Sequence, residues 1–157
     1  MAETLSIPGG QAKVRNPWGV LLLAIVTVYV YYFVWYYKIN RELRDFGLAR
    51  DDPKLRVEPA GALAAVTGGA LLIIPPFVSM WRTFTRIRRA EEIAGLEDRL
   101  SHAVGFPLYL LAAMFLPVEM PYVQTHLNRL WRHVHDEEEK RRLGMRPAVA
   151  WERAEER

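Results

Sequence analysis

Residues 18–37 read WGVLLLAIVTVYVYYFVWYY, twenty consecutive positions without a charged side chain. An uncharged apolar run of about 20 residues has the length of a bilayer span. It exceeds the apolar stretch of a secretory signal, and no small-residue cleavage site follows it, so it reads as a retained anchor. Trp18 stands near one end, with Trp35, Tyr36 and Tyr37 near the other. At the helical rise these ends lie roughly 26 Å apart, and aromatic rings so placed fit a membrane-interface belt.

Two further charge-free runs follow, residues 60–81 and 105–118. The third reaches Val123 only if Glu119 is admitted, and its shortness marks it as a lesser or re-entrant segment. Charge elsewhere is dense. Charged residues make up 25% of the 157, and the formal net charge is +3, so the near-zero mean hydropathy of −0.04 averages two unlike populations. The small basic excess is mixed with acids and is no nucleic-acid footprint. With no cysteine in the chain, disulfides and thiolate-ligated metals are excluded.

Between the runs lie amphipathic segments. Ile39, Leu43 and Phe46 recur at helical spacing, and Gly47 suits a helix end. Residues 82–100 carry a looser stripe that reads as an interfacial helix. Val123, Leu127, Leu130 and Val134 form a clean stripe, and acid-first pairs extend that helix to Arg142. Pro75-Pro76 predicts a kink or break in the second run, and Pro117 and Pro121 predict irregular backbone around Glu119. The pattern of an apolar run, an amphipathic segment and a glycine recurs three times, ending near Gly47, Gly95 and Gly144, a faint internal repeat.

The expected fold is therefore an all-α integral membrane protein with two full spans and one shorter span, plus amphipathic helices. Residues 1–17 form a flexible tail, 18–142 the helical membrane domain (apolar runs 18–37, 60–81 and 105–123; amphipathic segments 38–47, 82–100 and 124–142), and 145–157 a second tail. The corresponding location is the cell membrane, multi-pass. With three spans, one side collects 14 Lys and Arg and the other 7, which places the C-terminus in the cytoplasm. Yet every run is basic on both flanks, a pattern that also fits a run folding back as a broken hairpin.

Arg15-Asn-Pro-Trp18, the aliphatic run Leu21–Thr27, YYFVWYYKIN at 31–40 and Arg41-Glu-Leu43 resemble the bacterial membrane family called domain of unknown function 4234. Gln124, Leu127, Asn128 and Trp131 are similar to that family's terminal motif. Val28 stands where the family favours glycine after the threonine. The resemblance implies a multi-span helical membrane protein and carries no established activity.

Glu119 is the one carboxylate adjoining an apolar run, and such groups mark relays, pathways or buried pairs. Gln124 and Asn128 flank the adjacent stripe, where they either hydrogen-bond to a neighbouring span or line a polar membrane site with Glu119. Gly61, Ala65 and Gly69 have small-xxx-small spacing, a helix-packing face that predicts close packing against the first span. The four histidines have no metal-site spacing, and no nucleophile elbow or phosphate loop occurs. No catalytic residue, metal or cofactor is expected. The partners expected are the lipid bilayer and other membrane proteins, with no nucleic acid. The leading functional reading is a non-catalytic scaffold or accessory subunit of a membrane complex. The alternative is a small transporter or channel subunit using Glu119 in a polar pathway. A third reading, an intramembrane enzyme, would pair Glu119 with His126.

Overall fold

The computed structural model describes residues 3–67, 74–114 and 117–144. Strands β1 (Glu3–Ile7) and β2 (Gly10–Val14) form an antiparallel hairpin, with Leu5 opposite Ala12. Its inward positions Leu5, Ile7, Ala12 and Val14 alternate at strand period and are buried. They pack on α6 and α2, and the His135 ring contacts the Ser6 carbonyl at 2.9 Å. Residues expected to form a flexible tail are thus an ordered part of the core, and the fold is not all-α.

The helices are α1 (Pro17–Val26), α2 (Val30–Ala49), α3 (Pro59–Thr67), α4 (Ile74–Ile93), α5 (His102–Met114) and α6 (Glu119–Arg142). They pair as three antiparallel hairpins: α1 with α2, α3 with α4 and α5 with α6. The returning helices α2, α4 and α6 run side by side. Tyr36 meets Ser79 and Thr83, Trp35 meets Gln124, Phe46 packs on Trp131, and Glu91 meets His126. The threefold sequence pattern is this threefold hairpin pattern.

The integral-membrane expectation does not hold. Among the described residues no helix is long and apolar enough to cross a membrane. The reason is that each apolar run is divided between two helices. In the first, Asn16 caps α1 by accepting from the Trp18 and Gly19 amides at 3.0 and 3.2 Å, and Pro17 supplies the first helical position. Ten residues later the helix stops. Val28 and Tyr29 adopt left-handed φ of 49° and 66°, and Tyr29 N–H donates to the Ala24 carbonyl at 2.7 Å. Thr27 Oγ1 donates back to Leu23 O at 2.6 Å and accepts from Tyr31 N–H at 2.9 Å, tying both helices to the turn. At the helical rise α1 extends about 15 Å, half of a hydrocarbon core. The second run divides between α3, which ends at Thr67, and α4, which begins at Ile74. The third divides between α5, ending at Met114, and α6, starting at Glu119.

Of the kink or break expected in the second run, it is a break that occurs, the run being divided between two helices. Pro75 and Pro76 lie in the first turn of α4 and Pro121 in the first turn of α6, where an amide donor is not needed. Gly47 is not a cap. It lies inside α2, where a Cβ would fall 2.3 Å from the Leu55 Cβ, so glycine permits the close approach of the following loop. Gly95 and Gly144, with φ of 79° and 69°, follow α4 and α6 as left-handed caps.

Candidate functional site: a charge-free hairpin face over a polar core

The charge-free runs occupy the turn-proximal halves of the hairpins, and the charged residues occupy the other halves. Large apolar side chains stand exposed mainly on the charge-free halves. Trp18, Leu22, Val26 and Val28 on the first hairpin, Trp81 on the second and Leu111 on the third are among them, with Val28 81% exposed. Exposed apolar side chains gathered in this way normally meet another molecule.

Beneath this face lies a hydrogen-bonded core. Trp35 and Tyr36, expected at an interface, are fully buried. Trp35 Nε1 donates to Gln124 Oε1 at 2.7 Å, and Gln124 Nε2 donates to Asn128 Oδ1 at 2.8 Å. Asn128 in turn accepts from the Arg15 amide at 3.0 Å and donates to the Arg15 carbonyl at 2.6 Å, pinning the strand-to-α1 link. Gln124 therefore ties α6 to α2, and Asn128 ties α6 to the link between β2 and α1. Tyr36 Oη bonds Ser79 Oγ at 2.9 Å and Thr83 Oγ1 at 2.8 Å, and Ser79 Oγ donates to Ala62 O at 3.2 Å. Tyr37 is half-buried, and Trp18 alone of the expected belt is well exposed.

Two buried ionic junctions complete the core. Arg15 donates to Glu42 at 2.6 and 3.4 Å, both side chains being buried. Desolvation still holds the Glu42 carboxyl above its ordinary range against the pull of Arg15. Glu91, with no exposed surface, accepts from the Leu100 amide at 2.6 Å and contacts His126 Nδ1 at 2.7 Å. His126 is thus committed to Glu91 rather than to Glu119.

Glu119 opens α6 and is 1% exposed. Burial pushes its carboxyl up to about 8, outweighing the backbone contact and the nearby Tyr32 hydroxyl, which both favour the charged form. Tyr32 Oη and Glu119 Oε2 each lack a partner within full hydrogen-bond reach, so their interaction is loose. Tyr109 shares the region, its hydroxyl raised to about 12 by burial and then by Glu119. Near neutrality the group is a protonated acid in a tyrosine-lined interior.

The small-residue face differs from expectation. Pro59, Ala62 and Val66 are the buried positions of α3, whereas Gly61 is exposed and a Cβ there would meet nothing within 4 Å. Ala65 is half-buried, and Gly69 lies outside the described residues. The described residues contain no cluster of His, Asp and Glu able to hold a metal ion.

The architecture defines a class, a helical-hairpin protein with one charge-free apolar face. Residues 15–89 match the family model described as Domain of unknown function (DUF4234), and this stretch, from Arg15 through most of α4, belongs to that family. No curated protein matches the chain, and no solved structure matches it. Within the matched stretch, several residues take part in the ties just described. Trp35, Tyr36, Asn40 and Glu42 occupy the buried side of α2, and Gln124, Asn128 and Trp131 receive them or their neighbours. The motif spells a packing code.

Proposed function

We propose that this chain is a non-catalytic membrane-surface scaffold, seating its charge-free hairpin face in one side of a lipid bilayer without crossing it and presenting its charged half to protein partners. The observation that carries this reading is the segregation of exposed apolar groups from charge along all three hairpins. A bilayer interface accepts such a face, since apolar side chains enter the acyl boundary while charged groups stay in water. Paired basic flanks on every run also suit it, because both ends of a hairpin then remain on one side. The ties among Trp35, Gln124, Asn128, Tyr36, Ser79 and Thr83 support scaffolding over chemistry, for these groups are engaged with one another and not arranged around an open reaction space.

Flotation with phosphatidylcholine vesicles tests the reading. Val26 and Leu111 are 70% and 57% exposed, so Val26→Glu and Leu111→Glu should leave melting unchanged. Each should weaken vesicle binding by about tenfold or more, given ~1.5 kcal/mol or more for burying one such side chain. Wild-type binding by the glutamate variants, or no flotation of the wild type, would refute it.

A further inference from the structure

A second feature lies where the charge-free half of the second hairpin meets its charged half. Between α3 and α4 is a cleft of about 400 Å³, lined by Gly61, Ala65, Val78, Ser79, Arg82 and Arg86 among others. The small residues leave room, as the empty space around Gly61 shows. Arg82 and Arg86 stand one helical turn apart on α4 and so share a face.

Arg86 is the unusual group. It is 6% exposed, yet among the described residues no carboxylate pairs with it. Its Nε donates to Arg82 O at 3.2 Å and its Nη2 to Thr83 Oγ1 at 3.1 Å, while Nη1 has no partner among the described residues. Burial and the neighbouring Arg82 both disfavour its charged form. Arg82 is exposed and likewise has no ion pair among the described residues. Residues 59–81, which build most of the cleft, contain no acid, and the adjacent Glu58 is turned to Arg44 at 3.4 Å. A buried guanidinium without a counter-ion is costly, whereas the other buried ionic groups, Arg15, Glu42 and Glu91, have partners.

We propose that Arg82 and Arg86 form an oxyanion site for a phosphate ester, filled by the headgroup of an anionic phospholipid. The guanidinium fork matches phosphate geometry, and one tetrahedral anion can span two arginines a turn apart. The cleft lies at the border of the apolar face, with Val78 and Ser79 inside the charge-free run and Arg82 and Arg86 just beyond it, the depth at which a headgroup sits when acyl chains contact the hairpins. The choice of lipid over free phosphate rests on the bilayer-docking reading; the oxyanion site itself does not.

The test compares flotation on phosphatidylcholine vesicles with flotation on equal parts phosphatidylcholine and phosphatidylglycerol, alongside titration with glycerol 1-phosphate. Lys38→Gln is the control, since Lys38 is the first charge after the apolar run on α2, as Arg82 is on α4, and it is exposed. Wild type should prefer the anionic vesicles. Arg82→Gln should cut that preference about tenfold and Arg86→Lys, which keeps charge but loses the fork, severalfold, while Lys38→Gln changes it by the factor of about five expected for one diffuse surface charge. Melting temperatures establish that each variant is folded. Equal losses in Arg82→Gln and Lys38→Gln would overturn the site in favour of diffuse attraction. Equal wild-type binding to both vesicles would overturn the headgroup while leaving docking intact. If no vesicle binds, docking fails. Saturable glycerol phosphate binding that depends on Arg82 would then assign the site to a soluble phosphate ester, and its absence would overturn the site too.

Discussion

Replacing Glu119 by glutamine should stabilise the protein, increasingly so as pH rises. In the unfolded chain this carboxyl loses its proton near the ordinary 4.5, while in the folded chain burial holds the proton to about 8. Between those values the folded state binds a proton that the unfolded state has released, so folding stability falls as pH rises. The loss is absent below about pH 4.5 and complete above about pH 8. At about 1.4 kcal/mol for each pH unit separating the two values, the full effect is about 5 kcal/mol, of which about 3 kcal/mol has accrued by pH 7. With the side chain 1% exposed, solvent screening does little to reduce this. Glutamine keeps the shape and cannot ionise. Urea denaturation followed by circular dichroism, on both proteins from pH 4 to 9, isolates the contribution, because every other titrating group is common to the pair. The two should coincide near pH 4 and diverge through the neutral range, with the variant ahead, before running parallel above about pH 8. A difference independent of pH, or a variant less stable at pH 8, would refute the reasoning.

Two further substitutions probe the hairpins. Val28→Gly should raise stability by about 1 kcal/mol in the same assay, because a β-branched residue at φ 49° is strained where glycine is not; no gain would mean that the reversal is differently shaped. Gly47→Ala should lower stability by about 1–3 kcal/mol, since its Cβ would strike Leu55 at 2.3 Å, although alanine inside a helix ordinarily helps; a stabilised variant would contradict the packing of α2 on the following loop.

Much of the helical pattern is legible in the sequence, but its path is not. The stripe Ile39, Leu43, Phe46 and the stripe Val123, Leu127, Leu130, Val134 are the buried faces of α2 and α6, as periodicity requires. The runs mislead because hydropathy counts apolar residues without registering a reversal. The turn at Thr27–Tyr29 carries no proline or glycine; its sole signal is that the family pattern has glycine where this chain has Val28. Basic flanks on both sides of each run are the other available hint, and hairpins make sense of them. The strands escape because Leu5, Ile7, Ala12 and Val14 form only a short alternation on either side of Pro8-Gly9, with the composition of a tail. At the site, Gln124 and Asn128 are legible as helix ties. Arg86 is not, because in sequence it is one arginine among four between 82 and 89, and only tertiary packing removes its counter-ion.

The central claim is that all three charged ends of the hairpins lie on one side of a bilayer. The cysteine-free chain allows Arg41→Cys, Glu97→Cys and Lys140→Cys to be made singly at exposed positions, and each can be challenged with a membrane-impermeant maleimide after reconstitution into sealed vesicles in a uniform orientation. Non-crossing hairpins predict that all three label, or are all protected, together. Protection of Glu97→Cys opposite to that of Arg41→Cys and Lys140→Cys would be the signature of three crossings and would contradict the account.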